Sequence, residues 1–406
     1  MDLKSGYPFW AIKNGLISNF PPVTSDIECD VVVIGGGITG ALIADELTTS
    51  GFATTVVEQR DIGWGSTSAS TALLQYEIDT HLLDLVKWYG EKDGVMAYQG
   101  CADAIDSLAE LASEVGDVDF ARQQSLYFAS RPEDTNTLHD EFKLRRKHGF
   151  KADWLAANVV QERYGLLSSG AILTHHAARI DPYRMTYRLL ERLVVRGGQV
   201  FDRTTIATIT PKAKGVILRT TDGAQLRCQY VVMAAGYASQ RWLKQKVAKN
   251  LSTYAFITDP MDKDALGALA TTMMWESARP YLYFRCTGEG RLLVGGEDDD
   301  VDIPARRDAR VREKCHKLIH RISEIFPKFD LIPTFSWAGT FAETDDGLPF
   351  LGPHREYGSR VLFAMAYGGN GITYSMIGAK LIRDEIEGRS HQLAKLFSFD
   401  RLDRIN

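Results

Sequence analysis

The stretch Asp30-Val31-Val32-Val33-Ile34-Gly35-Gly36-Gly37-Ile38-Thr39-Gly40 decides the fold of this chain. Its four consecutive β-branched residues predict a short strand that is buried on both faces, as in a parallel sheet. The glycines that follow match the pattern G-x-G-x-x-G, and residues 41–47 have the composition of a helix. A second strand-like run ends at Glu58, close to the spacing of about 20 residues expected for a ribose-binding acid. Together these pieces predict a βαβ unit that binds a dinucleotide.

Each glycine of this turn has its own physical role. Gly35 permits the tight turn after the strand, and Gly37 leaves room for a pyrophosphate against bare backbone. Gly40 allows the helix to pack closely on the strand. The free N–H groups at the helix start, together with the positive end of its dipole, favour the phosphates. Glu58 is expected to accept a hydrogen bond from a ribose hydroxyl, and its charge disfavours a 2′-phosphate.

Length, charge and hydrophobicity narrow the class of protein. The chain of 406 residues is long enough for two domains, and these can be interleaved. Its net charge of -5 comes without a basic face, so nucleic acid is not an expected partner. No apolar run has the length of a membrane span, and the first residues lack the pattern of a secretory leader. A cytoplasmic location is therefore the expectation.

The five cysteines and nine histidines do not suggest redox or metal chemistry. The cysteines are widely spaced and form no C-x-x-C pair, which disfavours a disulfide reductase and favours small buried side chains. His175 and His176 are adjacent, and neighbours on a strand point to opposite faces, so they make a poor chelate. We expect no metal site.

Two later segments are expected to follow the dinucleotide. Residues Ser66 to Ala72 are small and rich in hydroxyl groups, which suits a segment laid along a cofactor at close range. A second buried strand, beginning at Tyr230, ends in Ala234-Ala235-Gly236, small residues of the kind needed where the backbone meets a cofactor. Residues 1–29 contain enough aromatic side chains to predict packing on the body of the protein.

Local patterns also predict helices and a hairpin. Residues 82–115 are helix-rich, and Asp181-Pro182 is a helix start with Asp181 as the N-cap. The charged run 131–147 predicts a solvated helix face. Its charged residues include Glu141, Lys143 and Arg145. A predicted hairpin near residues 281–296 places on one face of a sheet the side chains of Tyr281, Tyr283 and Arg285.

In this order, these features resemble the D-amino-acid oxidase/glycine oxidase superfamily of FAD-dependent oxidoreductases, and within it the γ-glutamylputrescine oxidoreductase branch. The resemblance covers most of residues 28–390. Its motifs are the glycine turn with Glu58, the segment Ser66 to Ala72, Asp181-Pro182, Ala234-Ala235-Gly236, Gly295-Gly296, and the ending from Asp346-Gly347-Leu348-Pro349 to Thr373.

The resemblance implies an α/β fold class, with a Rossmann-like FAD-binding domain and an interleaved α+β substrate domain built on a large antiparallel sheet. The FAD-binding domain would comprise residues 28–80, 168–242 and 336–392. The substrate domain would comprise residues 81–167 and 243–335. Residues 1–27 would form an N-terminal extension and residues 393–406 a C-terminal tail.

The resemblance also implies a single dinucleotide, FAD. No second glycine fingerprint followed by a strand and acid is present, so a separate NAD domain is not expected. In the family, a C-terminal glycine turn brings a helix N-terminus near the flavin pyrimidine edge, where it stabilises negative charge on the reduced ring. The residues implied to bind FAD are Gly35, Gly37, Ile38, Thr39, Gly40, Glu58, Gln59, Arg60, Ser66, Thr67, Ser68, Thr71, Ala72, Ile206, Ala235, Gly236, Gly339, Gly369, Asn370, Gly371, Ile372 and Thr373.

Two departures from the family pattern bear on the chemistry. A His or Cys attaches the flavin covalently in sarcosine and dimethylglycine relatives, but residues 66–72 and 339–344 contain neither, so we expect non-covalent FAD. Glycine-oxidase-like members hold the substrate carboxylate with an arginine, where this chain has Phe341. An aromatic residue there resembles the branch that oxidises larger amines. The candidate substrate contacts are Tyr283, Arg285 and Phe341.

The resulting hypothesis is an FAD-dependent oxidoreductase that oxidises a C–N bond of an amine or amino acid by hydride transfer to flavin. Two alternatives stay open, a 2-hydroxy-acid or glycerol-phosphate dehydrogenase and a flavin-binding electron-transfer component. The electron acceptor could be oxygen, a quinone or a protein. No pattern in the sequence identifies a catalytic acid or base.

Overall fold

The computed structural model describes residues 2–405, without the side chains of Lys263, Arg404 and Ile405. Its strands include the predicted runs at Val31–Ile34 and Tyr230–Met233. In chain order they are β1 (Ile27–Glu28), β2 (Val31–Ile34), β3 (Thr54–Val57), β4 (Leu73–Gln75), β5 (Ala121–Phe128), β6 (Ala152–Ala156), β7 (Gly170–Arg179), β8 (Gln199–Phe201), β9 (Ile206–Lys212), β10 (Gly215–Thr220), β11 (Gln225–Cys228), β12 (Tyr230–Met233), β13 (Lys249–Pro260), β14 (Thr272–Glu276), β15 (Leu282–Cys286), β16 (Arg291–Asp299), β17 (Pro333–Glu343), β18 (Phe350–His354) and β19 (Gly358–Met365).

Helices occupy most of the remaining chain. They are α1 (Phe9–Asn14), α2 (Ile38–Thr49), α3 (Ser66–Ala69), α4 (Leu82–Tyr89), α5 (Glu91–Val115), α6 (Asp134–Lys147), α7 (Ala157–Tyr164), α8 (Pro182–Val195), α9 (Lys263–Leu266), α10 (Pro304–Ala309), α11 (Val311–Ile325), α12 (Gly371–Ile386), α13 (Ala394–Phe397) and α14 (Leu402–Ile405), with short 3-10 helices at Gly236–Trp242, Gly267–Ala270 and Phe399–Arg401. The predicted N-cap of α8 is confirmed, because the Asp181 carboxylate accepts from Arg184 N at 2.9 Å.

The first sheet contains the predicted βαβ unit. Six strands lie in the order β18-β19-β12-β2-β3-β8, and all neighbours except β18 and β19 are parallel. Strand β2 lies in the interior of the sheet, and all four of its residues are buried. This explains its run of β-branched residues, since both faces of a parallel sheet are covered. Parallel strands place their carboxyl ends at one edge, which is where a ligand binds in open α/β sheets.

The second sheet has nine strands and is almost entirely antiparallel. Its order is β17-β13-β16-β15-β14-β5-β7-β4, with β6 paired to β7. The predicted hairpin is confirmed, because β15 and β16 are antiparallel neighbours. The domain boundaries stay a prediction. Strands β4 and β7 and most of β17 fall in the segments assigned to the FAD-binding domain, although they pair within this second sheet. A third, four-stranded sheet has the order β1-β11-β10-β9.

The N-terminal residues pack on the body, as their aromatic side chains predicted. Trp10 is fully buried, and its Nε1 donates to Ser70 O at 2.7 Å. Before α1, the backbone pairs with β17: Thr340 N donates to Leu3 O at 2.8 Å, and Ser5 N donates to Ala338 O at 3.0 Å. Residues 2–14 are therefore joined to both the nine-stranded sheet and the segment that follows β3.

The prediction of a solvated helix face over residues 131–147 is wrong for two of its members. Glu141 and Arg145, on α6, are both fully buried. Arg145 Nε donates to Glu141 Oε1 at 2.8 Å, and its Nη1 lies 3.6 Å from Oε1 of the equally buried Glu77. Glu141 also accepts from Leu82 N and Leu83 N, at the start of α4. This face of α6 therefore packs against the N-terminus of another helix, and the charges of Arg145 and Glu141 are paired away from water.

No helix formed by residues 2–405 combines the length and hydrophobicity of a membrane span. Within the same residues, all five cysteines are free thiols, and four of them are buried. The two main sheets, one parallel and covered by helices and the other antiparallel, confirm the predicted fold class.

Candidate functional site: a cavity between the two sheets

A large cavity extends from the carboxyl ends of β2, β3 and β12 to one face of the nine-stranded sheet. Most of the residues predicted to bind FAD line it. These are Gly35, Gly37, Ile38, Thr39, Glu58, Gln59, Arg60, Ser66, Thr67, Thr71, Ala72, Ile206, Ala235, Gly236, Gly339, Gly369, Asn370, Gly371, Ile372 and Thr373. Residues far apart in the chain thus meet around one space. Gly40 and Ser68 lie behind the cavity wall, with Ser68 Oγ bonded to Gly65 O at 3.0 Å.

The glycine turn leaves no room for side chains at its ends. Gly35 has a φ of 119°, and an added Cβ would lie 2.3 Å from Ala234 O. A Cβ at Gly40 would lie 1.9 Å from Gly35 O. Both close approaches involve backbone atoms, which cannot move aside as a side chain could. The turn therefore needs glycine at both positions, for the reason that the sequence suggested.

Glu58 is positioned by two backbone amides at the end of β3. Its Oε2 accepts from Gly36 N at 2.8 Å and its Oε1 accepts from Arg60 N at 2.9 Å. Burial raises the pKa of this carboxyl, and the two amides partly offset that rise. Each oxygen keeps further lone pairs. The carboxylate, which lines the cavity, can therefore also accept from ribose hydroxyls.

The segment after β3 supplies a direct test of whether a dinucleotide fits. Thr67 Oγ1 accepts from Ile38 N at 2.9 Å and so joins α3 to the start of α2. Ser66 Oγ lines the same region, and it is buried without a hydrogen-bond partner. A buried hydroxyl in a polar cradle is satisfied when an acceptor such as a phosphate oxygen occupies the space. The donors present therefore suit a pyrophosphate.

The C-terminal glycine turn contains a carboxylate that the sequence did not reveal. Asn370 Nδ2 holds the turn by donating to Glu77 O at 2.8 Å and to Gln75 O at 3.1 Å. Gly369 N, just before α12, donates to the side chain of Asp79 at 2.8 Å. Asp79 lines the cavity. A negative side chain thus lies at the helix start where only positive potential was expected.

The wall formed by the nine-stranded sheet is acidic and aromatic. Its carboxylates are Asp298 on β16 and Glu343 on β17, and with Asp79 from the loop after β4 they are hereafter the acidic cluster. Its rings belong to Trp275, Tyr281, Tyr283 and Phe341. Burial, and then the charge of Asp79, raise the pKa of Glu343. Arg279 lies over the Tyr281 ring, 3.8 Å from its centroid, and its Nη1 is 3.6 Å from Glu343 Oε1. This wall therefore has negative potential beside flat apolar surfaces.

The structure corrects the prediction that Arg285 contacts the substrate. Its side chain is fully buried and does not line the cavity. Nε donates to Thr71 O at 2.7 Å, and Nη2 donates to Ile180 O at 3.1 Å. Strand alternation places Arg285 on the same face as Tyr283, but two residues further along, where the cavity has ended. Its guanidinium instead supports the backbone beside the cavity.

A family model described as FAD dependent oxidoreductase matches residues 30–385 of this chain. The chain belongs to this family. It is an FAD-dependent oxidoreductase, and its dinucleotide cofactor is FAD, as predicted.

Two relatives of this oxidoreductase have names that include a nitrogen compound. Gamma-glutamylputrescine oxidoreductase from Escherichia coli strain K12 is 23% identical over 94% of this chain and 88% of the relative. Glycine oxidase from Geobacillus kaustophilus strain HTA426 is 26% identical over 88% of this chain and 93% of the relative.

Solved structures share the fold of this oxidoreductase. Glycine oxidase from Geobacillus kaustophilus has a TM-score of 0.76 at 22% sequence identity. The superposition covers 92% of this chain and 98% of the glycine oxidase chain. L-proline dehydrogenase from P. horikoshii has a TM-score of 0.80 at 19% sequence identity. The superposition covers 94% of this chain and 99% of the dehydrogenase chain. At these identities the likeness shows the fold.

The cofactor of this oxidoreductase is expected to be released by acid. Among the described residues, none that lines the cavity is His or Cys, which are the side chains that attach flavin in the covalent relatives. Precipitation of the yellow holoprotein with acid should leave intact FAD in the supernatant, measured by absorbance and chromatography. Flavin that stays with the pellet would contradict non-covalent binding.

Proposed function

We propose that this protein oxidises the C–N bond of an amine that has no carboxylate next to its nitrogen, with FAD as the hydride acceptor. The observation that carries this proposal is the acidic and aromatic wall of the cavity. The proposal narrows the coarser activity of the family, which is FAD-dependent oxidation.

The residues proposed to hold FAD are those at the sheet edge. The N–H groups at the start of α2 and the hydroxyls of Ser66 and Thr67 suit the pyrophosphate, and Glu58 suits a ribose. When bound, FAD supplies the hydride acceptor, and the protein supplies position and electrostatics. The start of α12 with Gly371 offers free N–H groups toward the cavity.

The acidic cluster favours a cationic substrate. An amine is protonated at neutral pH, and a carboxylate within reach stabilises an ammonium group in a site that excludes water. Aromatic faces add cation–π attraction to the same charge. Trp275 is held flat against Tyr127, with 3.6 Å between ring centroids, so this wall is rigid as well as apolar. These groups bind and orient the nitrogen of an amine.

A substrate carboxylate finds little support on this wall. Within residues 2–405, the cationic side chains that line the cavity are Arg60 and Arg241. Arg60 follows β3, and Arg241 lies in the 3-10 helix after β12, so both belong to the parallel-sheet side. Arg285 is committed to backbone carbonyls. An amino acid or a 2-hydroxy acid would therefore place its carboxylate beside the acidic cluster, which is unfavourable.

Phe341 supports the same conclusion. It lines the cavity on β17, between Gly339 and Glu343, which line it too. Burying an unpaired carboxylate against an aromatic ring carries a desolvation penalty of several kcal/mol. The name of the E. coli relative includes an amine larger than glycine, and this is consistent with a phenylalanine instead of an arginine at position 341.

Flavin reduction by different compounds tests this proposal. Under anaerobic conditions, a primary or secondary alkylamine should bleach the flavin readily, whereas glycine and D-alanine should do so at least about 100-fold more slowly, the equivalent of about 2.7 kcal/mol. Stopped-flow absorbance measures each rate. Rapid bleaching by 2-hydroxy acids or glycerol phosphate would instead favour C–O oxidation, and no bleaching by any compound would favour an electron-transfer component. Equal rates for glycine and the alkylamine would contradict the assigned class.

A paired substitution sharpens this test. Phe341→Arg alone introduces a cation two residues from Glu343 on one strand face, so the new guanidinium would pair with Glu343. Phe341→Arg combined with Glu343→Gln frees that cation for a substrate carboxylate. The double variant should therefore gain reduction by glycine or D-alanine, and Phe341→Met with Glu343→Gln is the matched control without the cation.

A further inference from the structure

Strand β16 contains an irregularity that redirects one side chain of the acidic cluster. Its pairing with β13 is regular from Leu293 to Gly296, which lies opposite Tyr254, but the next pair joins Asp299 to Ser252. One residue of β13, Thr253, therefore faces two residues of β16, Glu297 and Asp298, which is a β-bulge. Glu297, within the bulge, has a φ of 57°, which is uncommon for a residue other than glycine.

The bulge decides which of the three consecutive acidic residues at the end of β16 enters the cavity. Glu297 and Asp299 lie among cations on or next to α11: Arg321 Nη1 is 2.9 Å from Glu297 Oε1, and Lys314 Nζ is 3.5 Å from Asp299 Oδ2. Asp298 instead lines the cavity. Strict alternation from Gly295 would have turned Asp298 away from it. Strained or bulged backbone that re-aims one side chain is a known feature of functional sites.

Asp298 has an oxygen available for a ligand. Its Oδ1 is buried and has no hydrogen-bond partner. The hydroxyl of Thr253 lies beside this carboxyl and bonds to Tyr283 OH at 3.1 Å, so both neighbours have fixed positions. A buried acceptor without a donor is costly, and an ammonium N–H would satisfy it.

The charged groups around Asp298 come from several elements. They are Asp79 before α4, Glu343 on β17 and Arg279 before β15, with Tyr283 on β15. Burial raises the pKa of Asp298 to about 7, and Glu343 and Asp79 add to the rise against Thr253 and Arg279. This carboxyl can therefore exchange a proton near neutral pH, where a general base is most effective.

We propose that Asp298 binds the ammonium group of the substrate and removes one of its protons before the C–H bond is oxidised. This role rests on the proposed amine oxidation. In the step, one N–H bond of the ammonium group breaks, its electron pair stays on nitrogen, and an O–H bond forms on Asp298. The nitrogen lone pair then becomes the second bond of C=N as a hydride, with its two electrons, leaves the carbon for FAD. An ammonium group has no lone pair and cannot make this bond.

The pH dependence of reduction tests the assignment. At low concentrations of a strongly basic alkylamine, the second-order rate constant for anaerobic reduction of the wild-type holoenzyme should fall below a midpoint near pH 7, where Asp298 is protonated. Asp298→Asn should lose this midpoint and keep rising toward the amine's own pKa of about 10, since only the neutral amine can then react. At pH 7.5 its rate should be about 100-fold lower than that of the wild type.

A substrate that is already neutral separates proton removal from binding. A fluorinated alkylamine of low basicity needs no deprotonation. It should therefore reduce the flavin of the Asp298→Asn variant at a rate within about fivefold of the wild-type rate. Asp300→Asn is the matched control, because Asp300 is exposed and pairs with Lys249 at 2.6 Å on the surface. It should behave as wild type with both amines, and the flavin content of every variant should be equal.

Each result supports or overturns the assignment. Retention of the wild-type pH midpoint in Asp298→Asn would overturn it while leaving amine oxidation intact. Equal losses with the basic and the weakly basic amine would also overturn it, because they would indicate general damage to the cavity. Failure of every amine to reduce the wild-type flavin would overturn the proposed function, and the role of Asp298 with it.

Discussion

Arg145→Met is expected to destabilise the folded protein by about 3–5 kcal/mol, the range for removing one partner of a buried ion pair. Arg145 lies between Glu141 and Glu77, and all three side chains are fully buried. Without the guanidinium, two carboxylates remain in a low-dielectric interior, and the cap on α4 that Glu141 provides is weakened. Urea and thermal unfolding of the holoprotein would measure the loss.

The destabilisation should also depend on pH. Burial raises the pKa of Glu141, but Arg145 and the amides of Leu82 and Leu83 outweigh it, so the pKa is lowered overall. This contribution is present above the unfolded pKa and is lost as the pH falls. In the variant, the pKa of Glu141 should rise, and that of Glu77, which burial already raises in the wild type, should rise further; the penalty disappears as both carboxyls take up protons. The difference between wild type and variant should therefore shrink from pH 7 to pH 5.

The neighbouring Arg146 is the control for this substitution. It is exposed, and its Nη1 makes a long 3.3 Å hydrogen bond to Ala152 O. Arg146→Met should change stability by less than about 0.5 kcal/mol. Similar losses in the two variants, or a loss that does not change with pH, would contradict the account of the buried cluster.

Gly40→Ala is expected to yield a protein that is purified largely without FAD. The added Cβ would lie 1.9 Å from Gly35 O, so α2 would have to move away from the end of β2. Overpacking of this kind costs about 1–3 kcal/mol, and here it displaces the helix start that faces the pyrophosphate. A shift of this size weakens FAD binding about 10- to 100-fold, which titration of the apoprotein would measure.

Gly378→Ala is a matched control on another helix. Gly378 lies within α12, and its added Cβ would meet only the flexible side chain of Leu351, at 3.2 Å or more. Flavin content should therefore stay close to wild type in this variant. An FAD dissociation constant that is unchanged in Gly40→Ala would mean that the turn tolerates a wider separation of strand and helix.

Local sequence patterns predicted the features that depend on residues close together in the chain. The run at Val31 to Ile34 predicted a buried parallel strand because four β-branched residues suit no half-solvated face. Asp181 predicted a helix start because its carboxylate can reach an amide only three residues on. The glycine turn predicted a dinucleotide site for a similar reason, since Gly35 and Gly40 are close both in the chain and in space.

Side chains whose partners are distant in sequence could not be predicted in this way. Glu141 and Arg145 have the spacing of a solvated helical pair, and only the approach of Glu77 and of α4 makes them buried. Arg285 follows the alternation of its strand correctly, but alternation does not say where a cavity ends. Asp298 could not be predicted as a site residue, because a bulge at Glu297 reverses which face of the strand its side chain occupies. In addition, the run of acidic residues around it resembles a surface loop.

During translation, Leu3 and Ser5 leave the ribosome long before Ala338 and Thr340, their hydrogen-bond partners on β17, have been made. The interior strand β2 must likewise wait for β12, one of its two neighbours in the sheet. Such long-range pairing forms late and leaves unpaired edges on the nascent chain. The cavity can therefore be complete only after its last lining residues, 366–373, have been made. A chain interrupted before residue 338 lacks both a wall of the cavity and the anchor for its own first residues.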